Sequence, residues 1–258
     1  MLKFSLITCT YNSALWLEAN ILSVERQTYR NFEHIFIDGY STDGTLDIIK
    51  KYQTKFPDQI KLYFDQRGIA PAMNEGVKRA DGDYLLHLHA DDSFYDENVL
   101  SDTARYLSKE PLDWIYGKIN VVDDTGNIGT FPNRKIWQKT RQNPVSCYLL
   151  KFYNYIPHQA VFIRRSVFEK FGYFDETLTS AMDADLWLRI KNRTKWKFFN
   201  RLISNYRLHG RAQSSRRDKR AENKKNYQIV QKRYLNRAER LLSKISNRWL
   251  EFKNKNYR

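Results

Sequence analysis

Four short apolar runs, separated by segments of helical periodicity, constrain this chain more than any other feature. Leu2 to Cys9, Phe32 to Ile37, Ile60 to Phe64 and Asp83 to His89 have strand length and are rich in β-branched or aromatic residues. After the first run, Thr10-Tyr11-Asn12-Ser13 gives a turn and N-cap signal. Leu15, Ala19, Leu22 and Gln27 then follow helical spacing, with Trp16 and Ile21 widening the apolar face. Leu46 to Tyr52 and Ala70 to Arg79 read as two further helices, the second closed by Asp81-Gly82. Strands alternating with helices at this spacing predict βαβ units, a parallel sheet and right-handed crossovers that place helices on both faces. The expected fold class is therefore α/β.

Such sheets bind ligands beyond the C-terminal ends of their strands. The residues there are Thr8 to Asn12, Asp38 to Ser41, Asp65 to Gly68, and His89 to Asp92. Three of these four sets carry a carboxylate, which is harder to assign to ordinary turns than any single Asp. The run Tyr84-Leu85-Leu86-His87-Leu88-His89-Ala90-Asp91-Asp92 is apolar and then ends in two adjacent acids. Two arrangements fit that pair. One is a solvated turn, for which Asp-Asp-Ser is good chemistry. The other is a divalent cation held by carboxylate oxygens, which would relieve the repulsion between them.

The second half is less regular. Val99 to Leu107 reads as a helix and Trp114 to Val122 as a strand, followed by a hairpin turn at Asp124-Thr125-Gly126-Asn127. Ile136 to Tyr155 carries no clear period. Ala160 to Ile163 is an expected strand, and Ser166 to Phe171 a short helix ended by Gly172. Met182 to Lys191 is an expected helix, and Phe198 to Tyr206 an expected strand with a turn.

Charge divides the chain. The formal net charge is +15, yet Arg211 to Arg258 holds 16 Lys and Arg against 4 Asp and Glu, so +12 resides in that tail. A nearly neutral globular unit with a basic tail is the expected organisation, not a uniformly basic nucleic-acid binder. The tail should form one or two polar helices with a sparse apolar stripe: Ile229, Leu235, Leu241, Leu242, Ile245, Trp249, Leu250 and Phe252. The two cysteines, Cys9 and Cys147, form no CxxC and point to a reducing compartment. With no leader pattern and no apolar run near 18 residues, the expected location is the cytoplasm.

Several motifs in order resemble the family 2 glycosyltransferases of the GT-A fold. They begin with Ser5-Leu6-Ile7-Thr8-Cys9-Thr10-Tyr11-Asn12, Gln27-Thr28-Tyr29, and Phe36-Ile37-Asp38-Gly39 through Ser41-Thr42-Asp43-Gly44-Thr45. Ala72-Met73-Asn74-Glu75-Gly76, Ala80-Asp81-Gly82-Asp83-Tyr84 and Ala90-Asp91-Asp92 continue them. Downstream stand His158-Gln159-Ala160-Val161-Phe162, Gly172-Tyr173-Phe174-Asp175-Glu176, Asp183-Ala184-Asp185-Leu186-Trp187-Leu188-Arg189 and Tyr206-Arg207-Leu208-His209. The resemblance covers about residues 3 to 212. It implies a Rossmann-like, mostly parallel sheet flanked by helices over 1–212, with 213–258 a basic helical extension.

The resemblance also implies a nucleoside-diphosphate sugar donor, a UDP-sugar in first place, with Mg²⁺ or Mn²⁺ and an inverting displacement. Thr10, Tyr11 and Asp38 would hold base and ribose, and Arg67 the diphosphate. Asp91 would bind metal, and Asp92 the ribose or the metal shell. His209 would reach metal or phosphate with Arg207 as its electrostatic neighbour. His158 and Gln159 would face the acceptor. Asp183 would be the base, ionised at a helix N-terminus, with Asp185 turned away into a structural role. Two departures stand out: His89 where the motif often has Asp or Asn, and Tyr40, expected to shape the donor pocket. The tail would lie on an anionic membrane surface, inserting Trp249, Leu250 and Phe252, beside a glycan or lipid-linked acceptor in surface polysaccharide synthesis. Two rivals are a nucleotidyltransferase and a non-catalytic module whose arm binds RNA or protein. The first usually wants a glycine-rich basic phosphate loop, and Thr10-Tyr11-Asn12-Ser13 has neither glycine nor Lys/Arg.

Overall fold

The computed structural model describes residues 1–123, 126–131, 148–209, 219–241 and 243. The first half follows the alternation in the sequence. Strands β1 (Phe4–Thr10), β2 (Phe32–Asp38), β3 (Ile60–Phe64) and β4 (Tyr84–His87) alternate with helices α1 (Ala14–Glu25), α2 (Thr45–Lys55) and α3 (Ile69–Arg79). These strands pair in parallel, in the order β3-β2-β1-β4. Phe4, Leu6, Ile7, Ile35, Phe36 and Ile37 are fully buried on both faces, which explains why β1 and β2 read as continuous apolar runs.

After β4 the sheet becomes mixed. The two-residue β5 (Ser93–Phe94) and α4 (Val99–Lys109) lead into β6 (Trp114–Asp123) and β7 (Gly126–Phe131), with β8 (Val161–Arg164) and β9 (Trp196–Arg207) following later in the chain. Beyond β4 the order continues β8-β6-β9-β5, with β7 added to β6. The pairs β4–β8, β6–β8 and β5–β9 are antiparallel, while β6–β9 is parallel. Two short helices, α5 (Arg165–Phe171) and α6 (Met182–Ile190), flank this part, and α7 (Arg220–Tyr234) packs on α6. β9 runs on where a turn was expected, and the irregularity lies within it: between Phe198 and Ser204, opposite Tyr116 to Ile119, the register shifts put extra residues on the β9 side. The expected hairpin turn lies partly outside the described residues, since 124 and 125 are not among them.

The described part of the tail docks on the body. Val230 and Leu235 are buried, and Arg233 of α7 reaches Asp185 Oδ1 at 2.9 Å and Asp175 Oδ2 at 2.6 Å. Lys151 pairs with Glu239 at 2.9 Å. Asp185 is 3% exposed and also meets Arg189 at 3.1 Å, the structural part expected of it. The stripe residues Leu242, Ile245, Trp249, Leu250 and Phe252 lie outside the described residues.

Candidate active site

A cavity of about 920 Å³ opens at the C-terminal ends of β1 and β4. Tyr11, Asn12, Ser13 and Trp16 line it, together with His89, Asp91, Asp92, His158, Gln159, Asp183 and His209. Segments distant in sequence therefore converge on one space of the size that ligand clefts have.

β4 ends two residues before the expected strand did, and that early end decides what the acid pair can do. Leu88 N–H still donates to Ile7 O at 3.0 Å, but Asp92 N–H donates to His89 O at 3.0 Å, so the acids sit in a turn. The turn is fixed from below. Asn20 of α1, fully buried, donates from Nδ2 to both His89 O and Asp92 O at 2.9 Å, and Thr8 Oγ1 donates to Leu88 O at 2.8 Å. The two carboxylates then diverge. Asp91 Oδ2 lies 2.7 Å from His209 Nε2 at the end of β9. Asp92 is 2% exposed and accepts the backbone N–H of Arg207 at 3.1 Å. Burial, and next the Asp91 charge, push the Asp92 carboxyl well above the usual carboxylate range, while Arg207 and the Gln159 side chain oppose that rise. Arg207 thus acts on Asp92 as well as standing two residues before His209. The Trp16 ring lies on the His209 imidazole, with centroids 4.0 Å apart and 33° between planes.

Asp183 occupies the second position of α6, whose first turn begins after Ala181 in a left-handed conformation (φ 60°). Its Oδ2 accepts Asn154 Nδ2 at 2.9 Å. The helix N-terminus was expected to keep this acid low. Burial outweighs it: the Asp183 carboxyl is raised, although the Ala184 and Asp183 backbone N–H groups, Asn154 and the His89 charge all pull it down. A raised carboxylate is a stronger proton acceptor, which suits a base better than the expected low value does. His158 stacks between His87 and His89, 5.4 Å from each ring. Burial, with the two neighbouring imidazoles, holds it well below the usual histidine value, and burial holds His87 down at about 3. Both are therefore neutral packing groups at ordinary pH, and both ring nitrogens of His158 are buried without a hydrogen-bond partner.

Three expected donor contacts fall off the cavity wall. Asp38 is fully buried and spends its oxygens inside its own loop, accepting Thr10 Oγ1 and Ser41 Oγ at 2.7 Å and Ser41 N–H at 2.7 Å. Thr10 is 4% exposed for the same reason. The pair braces the turn that carries Tyr11, which is 68% exposed at the rim. Arg67 is exposed and held by its neighbour Asp65, at 3.0 Å from Nε to Oδ1 and 2.5 Å from Nη2 to Oδ2. Tyr40 packs its ring 5.2 Å from Phe64, away from the wall. The cavity is lined instead by residues that were not expected there: Trp16, Asn154, Thr179, Ser180, Asn223 and Tyr227. Only Asn20 and Trp16 left a signal in the sequence, a polar residue and a broad ring on the apolar face of α1; Asn154 and Tyr227 lie in stretches with no such pattern.

The family model described as "Glycosyl transferase family 2" matches residues 5–172. A PGL/p-HBAD biosynthesis glycosyltransferase of Mycobacterium bovis (strain BCG / Pasteur 1173P2) is 33% identical over 207 residues, 78% of this chain and 70% of that protein. Among solved structures, residues 1–349 of S. aureus TarS in complex with UDP-GlcNAc align with a TM-score of 0.68 at 22% identity, over 81% of this chain and 59% of that one. The mannosyltransferase PcManGT from Pyrobaculum calidifontis, in complex with GDP-Man and Mn²⁺, aligns with a TM-score of 0.66 at 17% identity, over 91% of this chain and 65% of that one. Both structural likenesses carry the GT-A fold, and the chain spans about 60% of the TarS structure. With its family model matched over residues 5–172, which include the turn that holds Asp91 and Asp92, the chain belongs to glycosyl transferase family 2.

Proposed function

We propose that this chain is a metal-dependent, inverting glycosyltransferase. It moves a sugar from a nucleoside-diphosphate sugar, a UDP-sugar in first place, to a hydroxyl of a glycan or lipid-linked acceptor in surface polysaccharide synthesis. The observation that carries this reading is the meeting of Asp183 and the Asp91–His209 pair on one cavity, from parts of the chain far apart in sequence.

The donor set suits a hard divalent ion that shares its shell with substrate. Asp91 Oδ2 and His209 Nε2 are hydrogen-bonded to each other at 2.7 Å beside the cavity, and an ion bound there would replace that contact. Among the described residues no group of three His, Cys, Asp or Glu could enclose a metal by itself. Mg²⁺ is commonly bound that way, through one or two protein ligands plus phosphate and water. Asp91 and His209 would hold the ion, with Asp92 behind them. A bound Mg²⁺ or Mn²⁺ would neutralise charge on the departing diphosphate. UDP-GlcNAc and GDP-Man with Mn²⁺, bound in the structural neighbours, support this choice of donor and ion.

Tyr11 offers an apolar face for the base at the rim, and Trp16 closes that side. Asp183 accepts the proton of the acceptor hydroxyl while the hydroxyl oxygen bonds to the anomeric carbon and the bond from that carbon to the diphosphate oxygen breaks. His158 and Gln159 shape the wall below the acceptor. The enzyme would work in the cytoplasm on the inner face of the plasma membrane, held there by the tail beyond the docked helix.

Thermal shift with UDP, GDP and dTDP, each with and without Mn²⁺, tests the donor side. Stabilisation that needs nucleotide and metal together is expected. Stabilisation by RNA alone would instead favour the binding-module reading. For the membrane, a chain ending at Ser243 keeps α7 and lacks Trp249, Leu250 and Phe252. It should lose co-sedimentation with anionic vesicles, and unchanged sedimentation would reject the anchor.

A further inference from the structure

We infer that Asn154 and Tyr227 are positioning residues for the Asp183 carboxylate, so that helix α7 of the basic tail is a working part of the catalytic site. This rests on Asp183 as the base of the proposed reaction.

Asn154 Nδ2 donates to Asp183 Oδ2 at 2.9 Å. Asn154 belongs to no helix or strand, and within its own segment its Oδ1 accepts the Ile156 N–H at a long 3.3 Å. What backs it is α7. The Tyr227 hydroxyl meets the backbone of Asn154, and the Tyr227 ring stands near enough to Asp183 for the two to interact electrostatically. Tyr227 and Asn223 both line the cavity beside Asp183.

The helix that presents Tyr227 is held on three sides. Asn226 Nδ2 donates to Thr179 Oγ1 at 2.7 Å and to Ser180 Oγ at 3.1 Å, directly before the strained Ala181 that starts α6. Thr179 Oγ1 donates to Glu222 at 2.5 Å. Arg233 then ties α7 to Asp185 of α6. The base, its hydrogen-bond donor and the support of that donor thus come from three separate segments, and α7 touches the other two. Placement of a reacting group within tenths of an ångström is what supporting contacts of this kind supply. Burial that pushes the Tyr227 hydroxyl up to about 12 keeps it a neutral hydrogen-bonding group at any working pH.

The groups that face Asp183 are Asn154, Tyr227, the His89 imidazole and the Ala184 backbone N–H. A donor to the carboxylate favours its charged form, so its removal should raise the Asp183 midpoint. The test is a ¹³C NMR titration of the aspartate carboxyls in the full chain, with the Asp183 signal assigned by its loss in Asp183→Asn. Asn154→Ala should shift the Asp183 midpoint upward and leave Asp185 unmoved. Tyr227→Phe removes one oxygen and keeps the packing; it should give a smaller shift in the same direction. The double variant should shift no further than Asn154→Ala alone. An unmoved Asp183 midpoint in Asn154→Ala, or two shifts that simply add, would overturn the proposal. These readings need no substrate. Full turnover by Asp183→Asn would instead remove the base assignment, so the two failures are distinguishable.

Discussion

Replacing Asp183 with Asn separates donor binding from chemistry. The two side chains have the same shape, and the Asn carbonyl oxygen can still accept Asn154 Nδ2, whose present bond is 2.9 Å. The proposed donor side, from Tyr11 to the Asp91–His209 pair, is untouched. Nucleotide affinity should therefore stay within about threefold, because no phosphate or base contact is lost. Turnover should not survive. A positioned base contributes about 10²–10⁴-fold, or about 2.7–5.4 kcal/mol of barrier at ~1.36 kcal/mol per tenfold. Release of nucleoside diphosphate from UDP-GlcNAc or GDP-Man with Mn²⁺ measures the rate, and thermal shift with the nucleotide measures binding. Stability supplies an internal check. Burial raises the Asp183 carboxyl, so the folded protein holds that proton more tightly than the unfolded chain. The stability it contributes is full below the unfolded carboxylate value and falls as pH rises through the folded one. Asparagine does not titrate, so the variant should gain Tm over the parent as pH rises above the ordinary carboxylate value of about 4. Turnover within threefold of the parent, with nucleotide binding intact, would refute Asp183 as the base.

Three further outcomes follow from contacts elsewhere. Trp16→Ala and His209→Ala should couple: the ring pair at 4.0 Å is worth about 0.5–1.5 kcal/mol, so removing the Trp16 ring should weaken Mn²⁺-linked UDP binding by about 2- to 10-fold, His209→Ala should weaken it further because the proposed metal ligand goes too, and strictly additive losses in the double variant would count against this ring contact. Cys9 lines the cavity, yet burial and then Asp65 push its thiol up to about 12; in a Cys147→Ser background iodoacetamide at about pH 8 should leave the native protein unmodified and alkylate it in urea, and rapid native labelling would show the thiol to be accessible. Gly82→Ala would put a Cβ 2.6 Å from Ser5 Oγ, 2.7 Å from Ser5 N and 2.9 Å from the Phe4 carbonyl carbon; backbone atoms cannot step aside, so a loss of about 3 kcal/mol is expected, a Tm drop of roughly 6–12 °C, and a native Tm would show that β1 can shift.

The sequence by itself determined the α/β half of the molecule. Periodicity is local: β1 to β4 and α1 to α3 bury faces that neighbouring residues define, so the pattern is written within each run. The carboxylates at strand ends were legible for the same reason, and motifs in order identified the family. Tertiary structure alone decided what each acid faces. Asp38 reads like a ligand for nucleotide, and only the fold shows that it is buried and accepts hydrogen bonds from Thr10 and from Ser41, three residues away, in its own loop. Asp91 and Asp92 look equivalent until β4 stops at His87 and the turn sends one to His209 and the other under Arg207. The charge of the tail pointed to an anionic membrane surface, and net charge carries no record of which helix face packs on the body. Val230, Tyr227 and Arg233 meet α6 and the cavity only through the fold. Hydrogen bonds and ion pairs between residues tens of positions apart depend on where the sheet brings backbones together, and side-chain identity along the chain does not encode that distance.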